Sequence, residues 1–322
     1  MRETETSAQA LLQSLEDAPA GPAVAAIGGG HGLAQALKAI QLYTTDISAI
    51  VGVADNGGSS GRLAPALGIP PPGDIRRCLL ALSPEASRWR DMFEFRFSEG
   101  DVEGHSLGNL IIAALAERAG DFDLGVIEAA RSLGALGTVI PVATEAMHLR
   151  AEIGGVAVEG QLAIAQTRGE ITGFEIEPPL TEANARALDA VMRADHVVLG
   201  PGSLFTSTMA PLLVGEMVQA VNQTEATLVY VFNLITQDGE TLGMTADDHL
   251  EALAYFAKLR RPDVIVANDG PLTVQPPHQV LRLAEAPAAS ELINADLVDH
   301  EAEWPMHEPH RLGTVLAAIG KA

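Results

Sequence analysis

The residues best suited by type and spacing to do chemistry fall in three strings rich in glycine and hydroxyls. Gly28, Gly29, Gly30, His31 and Gly32 follow the apolar run 24–27. Asp55, Asn56, Gly57, Gly58, Ser59, Ser60 and Arg62 follow the apolar run 47–53. Gly200-Pro201-Gly202-Ser203 follows the run 196–199. A strand, a glycine turn and a helix start make a ready anion site, because free backbone N–H groups and the helix dipole both favour negative charge there. Without a Cβ, the turn also lets a phosphate reach the backbone. Ser59 and Ser60 add hydroxyls, and Arg62 adds a fork of donors. The plainer alternatives are a tight βα turn for the first string and helix capping for Asp55, Ser59 and Ser60.

Further candidates lie between and beyond these strings. Asp74 follows Pro70-Pro71-Pro72-Gly73, where an N-cap belongs, and opens a helix with Ile75, Cys78, Leu79 and Leu82 on its apolar face. Arg76 and Arg77 leave that face, either toward an anion or toward solvent. Cys78 shares it and reads as core rather than nucleophile. His105 and Asn109 are four apart, so they sit together near a helix start. They could grip a phosphate or sugar, or form a solvated face. The segment 86–97, with Trp89, Met92, Phe93, Phe95 and Phe97, reads as an aromatic helix packed as core or serving as a lid. Asn233 and Asn268 end two more apolar runs, 228–232 and 264–267.

The elements that must position these residues follow from the rhythm of the chain. Five apolar runs end in Gly, Asn, Asp or Ser, which predicts a doubly wound α/β fold with a mainly parallel sheet and a polar cleft along one edge. Helices are expected over 122–133, 182–193 and 310–319, with 295–298 helping to close the fold. Residues 141–177 break the rhythm with short β-prone pieces and paired glycines, which predicts a small antiparallel excursion. Residues 1–20 read as a polar, flexible leader, and 21–322 as a single α/β domain.

Composition narrows the function. The chain has 322 residues, 47% of them apolar, which is ample for a core. Twenty Lys plus Arg stand against 42 Asp plus Glu, for a net charge of −22. That argues against nucleic-acid or anionic-membrane partners. A single cysteine excludes an intrachain disulfide and a cysteine-based zinc site. Residues 1–20 carry four acids and no apolar core, unlike a signal peptide, and no apolar run is long enough to span a membrane. A cytoplasmic location is expected.

The strings GGGHGL (28–33), ADNGGSSGRL (54–63), PPGDIRRCL (71–79), GHSLGNL (104–110), VVLGPGSLFTS (197–207), NLITQDGETLG (233–243) and VANDG (266–270) together resemble the gluconeogenesis factor family. These are bacterial proteins related to the 2-phospho-L-lactate transferase of deazaflavin cofactor synthesis. The resemblance implies a Rossmann-like fold and binding of a nucleotide-sugar, UDP-N-acetylglucosamine. It also implies a regulatory role in central carbon metabolism, peptidoglycan precursor supply and cell shape. Gly28 to Gly32 and Gly57 to Arg62 would hold the pyrophosphate, with Asp74, His105, Asn109, Gly202, Ser203, Asn233 and Asn268 around the cleft. The transferase relatives use magnesium and an aspartate, which here would be Asp55. In the family the glycine loop commonly continues with threonine and the second loop reads Asp-Asp. Here they are His31 and Asp55-Asn56, and losing a carboxylate weakens a magnesium site. This favours binding over catalysis, with no cofactor firmly implied and magnesium belonging to the transferase alternative. A nicotinamide-dependent oxidoreductase fits poorly, because Leu33 holds the last position of the GxGxxG pattern. A homo-oligomer and an unidentified regulatory protein partner remain open.

Overall fold

Alternate residues of the buried strands serve two different cores. In β1 (Val24–Gly28), Ala25 and Ile27 pack into one apolar cluster, while Val24 and Ala26 pack into another. Ile50 in β2 (Ile47–Val51) and Val197 in β7 (His196–Leu199) join the first cluster, and Ala49 and Val198 the second. Strands covered on both faces are expected to be apolar throughout, which is how they read. The computed structural model describes residues 21–320, so the leader expected over 1–20 lies outside the described residues.

Seven strands form one parallel sheet in the order β10-β9-β8-β7-β1-β2-β3. The remaining four are β3 (Thr138–Pro141), β8 (Thr227–Val231), β9 (Val264–Asn268) and β10 (Glu291–Ala295). On one face lie α1 (Gly30–Ile40), α3 (Gly73–Leu82), α5 (Leu107–Ala119), α6 (Phe122–Leu133) and α11 (Pro309–Ala317). On the other lie α8 (Ala185–Arg193), α9 (Met217–Gln223) and α10 (Ala246–Phe256). Between α1 and α3 runs α2 (Gly58–Leu67), and α4 (Arg90–Glu94) precedes α5. This is the doubly wound α/β arrangement expected from the sequence.

The antiparallel excursion is a separate three-stranded sheet, β5-β4-β6, made of β4 (His148–Ile153), β5 (Val156–Glu159) and β6 (Ile171–Glu177). Leu149, Ala151 and Ile153 alternate inward on β4 and meet Phe174, Ile176 and the first core. A short helix, α7 (Gln161–Gln166), sits between β5 and β6.

Two local expectations are corrected and a third is sharpened. The aromatic helix over 86–97 shrinks to the five residues of α4, and only Phe93 of its aromatics is fully buried, with Trp89, Met92 and Phe95 about half exposed. A helix that short cannot turn all its apolar residues to one side. The C-terminal closing segment expected over 295–298 begins at the end of β10, which runs to Ala295. Asp74 is no N-cap: α3 begins at Gly73, after Pro72, with no side-chain cap.

Candidate functional site

The strand order reverses at β1 and β7, which run side by side while their chains depart in opposite directions. Such a switch point leaves a crevice at the carboxyl ends of the strands. The glycines of the first string explain how it is built. Gly30 adopts φ +65°, and an added Cβ on Gly32 would stand 2.2 Å from the Pro201 carbonyl oxygen. Only glycine lets the start of α1 lie directly on the loop after β7. That loop is tied in turn to the end of β8. Gly202 N–H donates to Asn233 Oδ1 at 2.9 Å, and Asn233 Nδ2 donates to the Gly202 carbonyl at 2.7 Å. Gln237 Nε2 donates to Ser203 Oγ at 3.1 Å. Beneath it the buried Glu240 accepts from Thr206 Oγ1 at 2.6 Å and from Phe205 N–H at 3.1 Å, holding the π-helical turn Leu204–Met209.

These loops open into a cavity of about 660 Å³. Gly29, Gly30, His31, Gly32, Asp55, Asp74, Gly202, Ser203 and Asn233 line it, as does Arg77. Asp74 reaches across from α3: its Oδ2 accepts the Gly30 N–H at 2.7 Å and its Oδ1 pairs with Arg77. Burial pushes the Asp74 carboxyl above the usual carboxylate range, Asp55 adds to this, and Arg77 and the Gly30 N–H oppose it. His31 is held below the ordinary imidazole value, first by desolvation and then by the Arg77 and Arg76 guanidiniums. It is therefore neutral near pH 7.

Gly28, Asn56, Gly57, Gly58, Ser59, Ser60, Arg62, His105, Asn109 and Asn268 stand outside the cavity lining. Several are committed elsewhere. Ser59, His105 and Asn109 form one buried network, with Ser59 Oγ 3.1 Å from His105 Nδ1 and 3.0 Å from Asn109 Nδ2. Arg76 joins it, donating to Asn109 Oδ1 at 3.0 Å, so neither a solvated helix face nor a surface arginine describes them. Asn56 Oδ1 accepts the Leu162 N–H at 2.9 Å and so fixes the start of α7. Arg62 donates to the Glu103 carbonyl. Asn268 Oδ1 accepts from Gly270 and Leu297 N–H, closing the turn after β9. Cys78 is fully buried in the core, as expected.

The cavity also draws on residues that the strings did not mark: Gln35, Gln161, His278 and the loop Trp304 to His307. Gln161 follows a glycine in the excursion, and Trp304 is an isolated aromatic in an acidic, proline-containing loop. Neither feature by itself points to a site.

Residues 24–304 match the family model described as 2-phospho-L-lactate transferase CofD. A Bacillus subtilis protein named gluconeogenesis factor is 36% identical over 316 residues, covering 93% of this chain and 98% of its own. A gluconeogenesis factor of Halalkalibacterium halodurans is 39% identical over 252 residues, 78% of each chain. A Nostoc relative is 41% identical over 235 residues, but this chain spans only 52% of its length. A crystal structure of a Bacillus halodurans member of the UPF0052 family superposes with a TM-score of 0.86 at 33% identity, covering 92% of this chain and 99% of that one. The chain belongs to the CofD family.

For a CofD protein the question of magnesium follows at once. Among the described residues no group of three or more His, Cys, Asp or Glu side chains is arranged to hold a metal ion. Asp55 spends Oδ1 on the Gly57 N–H, and Asp74 is bound by Arg77 and Gly30. These donors do not make an all-protein divalent site. Among the described residues, no single helix of this CofD protein is long and apolar enough to cross a membrane.

Proposed function

We propose that this chain is a nucleotide-sugar-binding regulator whose ligand is UDP-N-acetylglucosamine, acting on central carbon metabolism, peptidoglycan precursor supply and cell shape. One observation carries the reading. The glycine loop of α1 and the loop after β7 meet across the β1/β7 switch point and open into one cavity of about 660 Å³. That volume is in the range of a small-molecule site. The N–H groups at the start of α1, of which Asp74 already takes that of Gly30, together with Arg77, which pairs with the same carboxylate, supply anion-binding donors. Amides and hydroxyls at Asn233, Gln237, Ser203 and Gln161 supply hydrogen-bonding partners for a sugar. The gluconeogenesis factor name of the Bacillus subtilis relative supports the metabolic part of the reading. Isothermal titration with UDP-N-acetylglucosamine is the direct test. A saturable heat and a thermal upshift are expected, and neither signal at millimolar ligand would remove the reading.

The family description favours a second reading, a magnesium-dependent phosphoryl- or phospholactyl-group transferase, and Asp55 and Asp74 both face the cavity. Turnover of a nucleotide-activated phospholactate that requires magnesium and disappears in Asp55→Ala would establish it.

A further inference from the structure

Part of the cavity wall is built by the connection between β10 and α11, and it carries the cavity's only Trp, Tyr or Phe among the described residues. Trp304 is 59% exposed although it lines that cavity. A tryptophan left open on one side is a large apolar surface awaiting cover. The ring is held rather than adrift. It meets His278 edge to face, with centroids 5.2 Å apart and planes at 85°. His278 is itself fixed, its Nδ1 lying 2.9 Å from the Thr236 carbonyl. The stem of the Trp304 loop is closed by a bridge between Val298 and His307, with Asp299 N–H donating to the Met306 carbonyl at 2.9 Å.

A planar, apolar, pre-positioned face and a helix start with anion-binding N–H groups line one cavity, which matches a ligand with a flat ring joined to phosphates. We propose that Trp304 is the stacking platform for the heterocyclic base of the bound nucleotide, an assignment that rests on the nucleotide-sugar reading of the same cavity. Stacking on an indole tolerates any base, because every base has a π-face. Trp304 therefore sets affinity for the nucleotide half of the ligand, while discrimination among bases comes from other groups.

The sequence makes the test clean, since the chain has two tryptophans and the other, Trp89, lies outside the cavity lining. In Trp89→Phe, fluorescence from Trp304 should be quenched on titration with UDP-N-acetylglucosamine. By calorimetry, Trp304→Ala should weaken UDP and UDP-N-acetylglucosamine by about tenfold or more. Inorganic pyrophosphate should bind the variant and the wild type alike, and Trp304→Phe should recover most of the nucleotide affinity. Because the ring is largely exposed, the variants should keep the wild-type melting temperature. Unchanged nucleotide affinity in Trp304→Ala, or an equal loss of pyrophosphate binding, overturns the proposal and leaves the ligand reading standing. GDP binding that depends on Trp304, without binding of UDP-N-acetylglucosamine, does the reverse. A wild type that binds neither nucleotide overturns both.

Discussion

Asp74 shows how a single side chain occupies the site it was expected to serve. Its carboxylate takes the Gly30 N–H and the Arg77 guanidinium, the two groups that a ligand phosphate would also seek. It thus stands as an internal anion against the glycine loop. Asp74→Asn keeps an oxygen for the Gly30 N–H but removes the charge beside the phosphates. Affinity for UDP-N-acetylglucosamine should rise by about tenfold, or ~1.4 kcal/mol, by calorimetry. If Asp74 instead holds a magnesium on the ligand, the same variant should weaken magnesium-dependent binding. Gly32 is tested by stability. A methyl there meets the Pro201 carbonyl, which is backbone and cannot swing away. Gly32→Ala should lower the free energy of unfolding by about 1–3 kcal/mol in urea titration, and ligand affinity should fall with it. A midpoint equal to wild type would show that α1 and the β7 loop are not locked together.

The antiparallel excursion is docked onto the parallel sheet at the second glycine-rich loop, which the sequence also offered as a phosphate site. Asn56 caps α7 from outside by accepting the Leu162 N–H, and next to it Gln161 faces the cavity. Arg168 and Asp238 form a second tie, a two-pronged pair between the loop before β6 and the loop after β8. Asn56→Ala should cost about 1 kcal/mol, the usual size of a lost cap. Asn56→Asp keeps the acceptor and should be near neutral in stability. It restores the Asp-Asp pattern, yet it should not create magnesium binding in calorimetry, because that position is turned to α7. The runs that became β1, β2, β7, β8 and β9 were legible because buried parallel strands are apolar throughout and end in small polar residues. Ser59, His105 and Asn109 had the composition of a site, but spacing along a helix cannot tell which neighbour its face will meet, and here it meets another polar face. The reach of Trp304, His278 and Gln161 into the cavity was not legible for a related reason. It depends on where two loops and the start of α7, far apart in sequence, fold back.

Two buried histidines make contributions to stability whose pH dependence has a defined sign. His307 sits in the cavity wall with a pKa pushed down to about 4 by desolvation, opposed by a hydrogen bond to the Phe232 backbone. His249, fully buried in α10, is shifted the same way. The folded state prefers these rings neutral, so their contribution is complete above the unfolded value of about 6.5 and is lost as pH falls toward 4. For His307 the loss is roughly 3 kcal/mol. The raised carboxyls of Asp74 and Glu240 work in the opposite direction, since protonation relieves their burial. The net curve alone therefore assigns nothing. The difference between wild type and His307→Gln does: the variant should lose less stability between pH 6.5 and 4 in urea titrations. Parallel slopes would mean that His307 is already solvated.

The last helix lies on the first described one. Leu312 and Leu316 of α11 share a core with Leu37 and Ile40 of α1, and an added Cβ on Gly313 would stand 2.7 Å from the Ala39 carbonyl oxygen. The cavity likewise takes walls from Gly29 and from His307. During translation, then, the glycine loop emerges ahead of residues 304–317 and lacks the cavity wall from His307 and its backing helix until they have left the ribosome. A nascent chain stalled before that point should not be retained on immobilised UDP-N-acetylglucosamine, and release of the finished chain should restore capture.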